Sequence, residues 1–292
     1  MSDEPPVVVG IGLTQESDYV LQKVSGLANS PDRVIAIHAI ERNVTGLEEE
    51  ASGSLESLYQ QLFEDARIRL TEICSKFGIT DCRVMHGSPA SVLHQVAEEV
   101  NAMAIVVGSH GLQGWRALLG ETADAVLRDV RNNVLSILVR DLSENPALTY
   151  NRVLIAVDMS EEANLVIESG LRVAALFNAE PVLMSSIKPV VQYAAMDETT
   201  ILGSAYDDLL NDAESALRTR LDELGDTYGI HQVMIRHGHP PTEIHDAARA
   251  IEADLIVLGT HGRSGAGLLF GSTPSAVMQG VNCDVLAVRV GD

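Results

Sequence analysis

The sequence predicts an α/β protein built as two tandem, doubly wound domains, each around a five-stranded parallel sheet. Three observations predict it. Short continuous apolar runs, such as Val7-Val8-Val9-Gly10-Ile11 and Leu255-Ile256-Val257-Leu258, suit parallel strands covered on both faces. Segments with helical apolar spacing separate these runs, an alternation that folds as βαβ units with right-handed crossovers. The whole pattern also occurs twice along 292 residues, a length that suits about two domains.

In the first repeat, the strand at residues 7–11 is followed by Thr14, expected to cap a helix with Val20, Leu21, Val24, Leu27 and Ala28 on one face. Residues 33–40 read as the second strand. A polar stretch containing Glu48, Glu49, Glu50, Ser52 and Gly53 leads to an amphipathic helix. Leu55, Leu58, Leu62, Ala66, Leu70 and Ile73 share one face of it. Residues 82–86 are the third strand, and Gly87-Ser88-Pro89 turns into a helix with proline at its first position. Residues 104–107 form the fourth strand, a helix starts near Thr122, and residues 135–139 are the fifth strand.

The second repeat follows a linker at residues 141–151 that contains Pro146. Residues 153–157 match the first strand and residues 181–187 the second. Tyr206, Leu209, Leu210, Ala213, Leu217, Leu221 and Leu224 mark the long helix. Arg236-His237-Gly238-His239-Pro240 repeats Met85-His86-Gly87-Ser88-Pro89, and residues 285–289 read as the last strand. Gly259, Gly262 and Gly271 stand 151 positions after Gly108, Gly111 and Gly120. The expected domains are therefore residues 1–145 and 150–292. Residues 41–54 and 188–204, the longest stretches without clear periodicity, leave the sheet at its carboxyl edge; ligand binding is expected to order residues 188–204, whereas residues 41–54, in the repeat without a ligand, are not expected to respond.

Composition narrows the function. Asp and Glu number 41 against 20 Lys and Arg, a net charge of −21, which opposes binding to nucleic acid or to an anionic membrane. No apolar run approaches the ~20 residues of a membrane span. The acidic start Met1-Ser2-Asp3-Glu4 lacks the pattern of a signal peptide, so a cytoplasmic location is expected. Three cysteines without a CxxC pair suit idle thiols better than a disulfide framework or zinc site.

Residues 259–273 carry the chemistry. They run from a buried strand, through a glycine-rich loop, to the start of a helix expected near Pro274. Glycines let the backbone approach a ligand, and helix-start amides beside the Ser272 and Thr273 hydroxyls suit a phosphate. The loop is neither a Walker A motif nor a GxGxxG fingerprint. In open α/β sheets ligands sit beyond the carboxyl ends of the strands, where this loop lies. The opposing reading is a structural turn kept from a binding ancestor. His237, His239, His245 and His261 gather near strand ends, but their spacing matches no metal motif, and no metal site is expected.

With Val157-Asp158-Met159-Ser160, the Gly238-x-Pro240 turn and the loop at 259–273, the chain resembles the universal stress protein family in its tandem two-domain form. The resemblance spans nearly the whole chain, twice, and the loop is its specific part. It implies Rossmann-like domains that pair through their last strands, and ATP as ligand, with Mg²⁺ as a possible companion. Asp158 and Ile187 would frame ribose and adenine, and Leu258 would lie beneath the base. Gly259, Gly262, Arg263, Gly271, Ser272 and Thr273 would surround the phosphates. Asp158 has a second reading as a cap on the following helix, and Ser160 is read as that cap rather than as a ligand.

Two departures from the family pattern matter. Eight residues, where the family has nine, separate Gly262 from Gly271. In the first repeat, Gly12 stands where Asp158 does, Glu121 where Ser272 does, and Leu112 where Arg263 does. A carboxylate in a phosphate position repels by about 1 kcal/mol in water at ~4 Å and more when partly buried. The first domain is therefore expected to be silent. Together these features imply an adenine-nucleotide-binding stress or regulatory protein with one competent site. The two domains would form an intramolecular pseudo-dimer, a homodimer of chains stays open, and the protein partner is unknown. A nucleotide-independent interaction protein and a slow ATPase remain as alternatives. No general base stands out and no catalytic residue is assigned, so efficient hydrolysis is not implied. An α-hydrolase of the related adenine-nucleotide type would need further motifs, which are absent.

Overall fold

A computed structural model describes residues 5–28, 30–41, 52–110, 121–128, 131–139, 142, 148–187, 201–260 and 271–291. It is an α/β protein, as expected, and divides into two compact units. Unit 1 holds the described residues of Met1–Thr149 together with Met278–Arg289. Unit 2 holds those of Tyr150–Ala266, Gly271–Val277 and Val290–Asp292.

Unit 1 begins with β1 (Val7–Gly10), α1 (Glu16–Leu27), β2 (Val34–Ile40), α2 (Ser52–Ser75) and β3 (Asp81–His86). It continues with α3 (Pro89–Glu99), β4 (Ala104–His110), α4 (Glu121–Arg128) and β5 (Val134–Val139). The five strands are parallel, in the order β3-β2-β1-β4-β5. On one face, Val7, Val9 and Ile11 pack with Val20, Leu21 and Val24 of α1 and with Leu70 and Cys74 of α2. Each fully buried aliphatic chain contributes about 1.5–3 kcal/mol. The other face takes α3, whose Leu93 side chain would lie 3.0 Å from a Cβ placed on Gly10. Helices on both faces explain why the strands read as unbroken apolar runs.

Several local expectations shift. The residue before α1 is Gln15, without a side-chain cap, and the Thr14 hydroxyl donates instead to the Glu16 carboxylate. Ser88 does cap α3, accepting the Ser91 amide at 3.4 Å, with Pro89 at the first helical position. Ser52 and Gly53 belong to α2. Along α2, Ala66 and Leu70 are buried whereas Leu58 and Leu62 are about half exposed. A helix of 24 residues rises ~36 Å, and strands of six or seven residues rise little more than half that. Its first turns therefore outrun the sheet they follow.

Unit 2 contains β6 (Arg152–Ala156), α5 (Ala163–Phe177), β7 (Glu180–Ile187), α6 (Ile201–Tyr228) and β8 (Gln232–His237). After these come α7 (Pro240–Ala250), β9 (Leu255–Gly259) and α8 (Ser272–Met278). Its strands are parallel in the order β9-β6-β7-β8. Gly170 lets α5 lie close on β6, since a Cβ there would sit 2.7 Å from the Ile155 side chain. Asn178, in the left-handed conformation at φ 52°, ends α5.

The last strand, β10 (Asp284–Val288), comes from the second repeat but packs in unit 1. It runs antiparallel to β5, with Val285 opposite Ser136, Leu286 opposite Leu135 and Ala287 opposite Val134. These are the two last strands expected from the sequence. Among the described residues, no helix is long and apolar enough to cross a membrane.

Candidate functional site

The carboxyl edge of the unit 2 sheet collects the candidate residues. β6 is the central strand, flanked by β9 and β7, and Ala156 lies beside both Leu258 and Met184. The Val157 amide continues the ladder to the Met184 carbonyl at 2.9 Å, so Asp158 is the first residue beyond it. Ile187 closes β7, where its carbonyl accepts the Gly238 amide at 3.0 Å. Leu258 is buried within β9 and Gly259 is half-buried at its end. Strand register therefore brings Asp158, Ile187, Leu258 and Gly259 to one edge.

Asp158 does not cap α5, whose cap position is Glu162. Its Oδ1 instead accepts the Ser160 amide at 3.1 Å and the Ser160 hydroxyl at 2.5 Å. Ser160 accordingly orients the carboxylate and is not the helix cap. A carboxylate has acceptor capacity beyond two bonds, so these contacts aim the group without exhausting it. The half-buried position suits a group that meets both protein and ligand.

The glycine loop is closed at its root. The Gly271 amide donates to the Thr260 carbonyl at 2.8 Å, and the Ser275 amide donates to the Gly271 carbonyl at 3.2 Å. Thr260 is 1% exposed, and its hydroxyl accepts the Val290 amide at 3.2 Å. The helix after the loop starts at Ser272, two residues before the expected Pro274, which falls in its first turn where a missing N–H costs nothing. Ser272 is exposed and Thr273 half-buried. Gly262, Arg263 and His261 lie outside the described residues, as do residues 42–51 and 188–200.

Sequence reasoning missed Thr260 and Ser185. The Ser185 hydroxyl donates to the Val157 carbonyl at 2.8 Å and so fixes the backbone next to Asp158. At the matching place in the first repeat, His38 Nδ1 lies 2.7 Å from the Ile11 carbonyl and must donate to it. The recurrence of a side-chain donor at this position was the available signal.

His94 and His245 serve the fold. His245 Nε2 donates to the Val277 carbonyl at 2.7 Å, and His94 Nε2 to the Val126 carbonyl at 3.0 Å, the same contact in each repeat. His237 Nε2 lies 3.3 Å from a Glu214 carboxylate oxygen. Among the described residues no group of three His, Cys, Asp or Glu is placed to hold a metal ion.

Unit 1 keeps a cavity of about 400 Å³ at its own carboxyl edge. Gly12, His38, Gly108 and Thr122 line it, with Gly12, Gly108 and Thr122 at the positions of Asp158, Gly259 and Thr273. The volume suits a small-molecule ligand. The chemistry does not suit a phosphate: among the described lining residues Glu16 carries the formal charge, and none is Lys or Arg.

Comparison with known proteins places this geometry in context. The family model described as "Universal stress protein family" matches residues 5–137 and again residues 149–289. Universal stress protein A homolog 2 of Coxiella burnetii is 30% identical over 145 residues, covering 48% of this chain and 96% of its own length. A universal stress protein of Archaeoglobus fulgidus, solved by crystallography, superimposes with a TM-score of 0.67. It covers 99% of this chain and all of its own at 19% identity, which speaks for the fold. A universal stress protein solved in complex with cAMP is 24% identical over 48% of this chain and 98% of its own, at a TM-score of 0.35.

Proposed function

The chain belongs to the universal stress protein family, and on that premise we propose that it is a regulatory protein that binds one adenine nucleotide, ATP, in its second repeat. The observation that carries this reading is the layout of the unit 2 edge. An oriented carboxylate at Asp158 stands just past the end of the central strand, and the Thr260–Gly271 closure sets the start of α8, with Ser272 and Thr273, after the end of the neighbouring strand β9. Asp158 accepts from ribose hydroxyls, as the acidic residue of a dinucleotide site does. Gly259, Gly271, Ser272 and Thr273 take the phosphates, with Gly262 and Arg263 from the intervening loop. Ile187 and Leu258 supply apolar surface for the base. Mg²⁺ enters with the phosphates, and no protein ligand to it is assigned.

The first repeat is silent in this reading. Gly12 removes the carboxylate, and no Lys or Arg stands among the described residues that line the unit 1 cavity. The pairing of β5 with β10 supports a chain that meets its own last strands, as family members do between subunits. In this reading ATP acts as a regulatory ligand and not as a substrate.

Equilibrium titration of the purified chain with ATP, ADP and AMP tests the proposal. Saturable binding near one equivalent, lost in Asp158→Ala, is the expected result. An absence of binding to any of the three leaves the nucleotide-independent interaction protein as the correct reading. Phosphate release above background would make it a slow ATPase.

A further inference from the structure

The β5–β10 ladder pairs two copies of one strand. Asn133 and Asp284 stand 151 positions apart, as do Leu138 and Arg289, and Leu135 faces its own counterpart Leu286. Side chains bracket the ladder at both ends. Asp284 Oδ1 accepts the Leu138 amide at 3.0 Å, and Asn133 Oδ1 accepts the Arg289 amide at 2.9 Å. These brackets are the same contact made twice, once by an aspartate and once by an asparagine.

A buried ion pair breaks the likeness. Lys23 of α1 places its Nζ 2.6 Å from Asp284 Oδ2, with side chains 8% and 3% exposed. The counterpart of Lys23 in the second repeat is Ser169 of α5. The alignment is fixed by buried positions, since Ser17, Val20 and Leu21 of α1 match Ala163, Val166 and Ile167 of α5. The first repeat therefore carries the cation, and the last strand of the second repeat carries the carboxylate.

We infer that Lys23 and Asp284 encode partner choice at this edge, making β5 accept β10 and reject a second copy of itself. Pairing β5 with another β5 sets Asn133 beside Lys23, so the buried ammonium loses the Asp284 carboxylate. Pairing β10 with another β10 buries two carboxylates beside Ser169. Breaking a buried ion pair by removing one partner is far more damaging than replacing both by neutral groups. Both like-with-like arrangements carry that penalty twice, and the observed one carries none. Neutral residues at both positions would keep the ladder and its brackets, yet leave the two strands interchangeable. The pair thus supplies discrimination more than strength, in the way charges set partners in coiled coils.

The test uses the full chain. Lys23→Met with Asp284→Asn keeps an amide bracket for Leu138 and is expected to hold its unfolding midpoint near that of the wild type. When refolded from denaturant at high concentration, it should give several-fold more chain-exchanged oligomer than the wild type, read by size-exclusion chromatography with light scattering. An oligomer fraction equal to the wild type overturns the inference. A second arm does not depend on that variant folding. Lys23→Glu and Asp284→Lys chains, each destabilised alone, are mixed and refolded together. Their charges then match across chains, and a one-to-one hetero-oligomer with a recovered midpoint is expected. A mixture that behaves as the sum of its two components overturns it.

Discussion

The Gly271 amide and the Thr260 carbonyl meet at 2.8 Å, closing the glycine loop where it leaves β9 and enters α8. A Cβ on Gly271 would lie 3.1 Å from that same carbonyl and 3.4 Å from Pro274 Cδ. Neither neighbour yields easily, one being backbone and the other a ring. Gly271→Ala should therefore loosen the closure and weaken ATP binding about tenfold, or ~1.4 kcal/mol. Gly271→Glu adds a negative charge beside the phosphates and should remove measurable binding. Calorimetric titration of both variants checks this.

Asp158 is the second lever. Removing a hydrogen bond to a charged group costs about 1.5–3 kcal/mol. Asp158→Ala should then weaken ATP binding roughly 10- to 150-fold. Ser160→Ala removes only the hydroxyl that orients the carboxylate and should cost less. An Asp158→Ala chain that binds ATP with wild-type affinity would remove the ribose contact from the proposed site.

Site asymmetry gives a prediction with a gain as well as a loss. A Cβ at Gly12 would find only the Thr14 side chain, at 3.8 Å, so Gly12→Ala should leave ATP binding and the midpoint unchanged. Restoring two of the three departing residues, by Gly12→Asp with Glu121→Ser, should raise the stoichiometry from one towards two. Nucleotide counting by equilibrium dialysis decides it, and a wild-type value of two would contradict the silent first repeat.

Close helix–sheet contact at Gly170 sets a packing prediction. A Cβ there would sit 2.7 Å from two atoms of Ile155, inside the buried face of β6. Overpacking of this kind costs about 1–3 kcal/mol. Gly170→Ala should lower the urea midpoint by a matching amount, with Gly12→Ala as the unstrained control.

Two thiols give a pH dependence. Burial, with Cys82 beside it, pushes the Cys74 thiol well above its ordinary 9.0, and burial also raises Cys82. In the unfolded chain both titrate near the ordinary value. Above it the unfolded state has lost protons that the folded state retains, so stability falls as pH rises. The contribution is fully present below pH 9 and declines above it. Cys74→Ala should flatten this alkaline slope, and Cys74 in the folded wild type should resist alkylation at pH 8.

Strand positions were legible because a covered parallel strand leaves an unbroken apolar run, as at residues 7–9 and 255–258. The meeting of β5 with β10 was expected as the meeting of the two last strands, but the Lys23–Asp284 pair was not legible, because these residues are 261 positions apart and neither residue type marks its partner. Periodicity likewise gave the apolar face of α2 but not the length of sheet beneath it, and Leu58 and Leu62 on that face are about half exposed. Glycine spacing and the strand-end aspartate singled out Asp158, Gly259, Gly271 and Ser272 as candidates, and strand register brings Asp158 and Gly259 to one edge. Thr260 and Ser185 escaped, since a hydroxyl in or just after a strand looks the same whether it fills space or holds the backbone.

The placement of β10 also governs the order in which the chain can fold during synthesis. The facing residues Leu135 and Leu286 are 151 positions apart, so this ladder joins segments about half the chain apart. Contacts of such separation form slowly. While the second repeat is still on the ribosome, β5 has no partner on its outer edge, an arrangement that invites association with other nascent chains. A strand made last completes the unit made first.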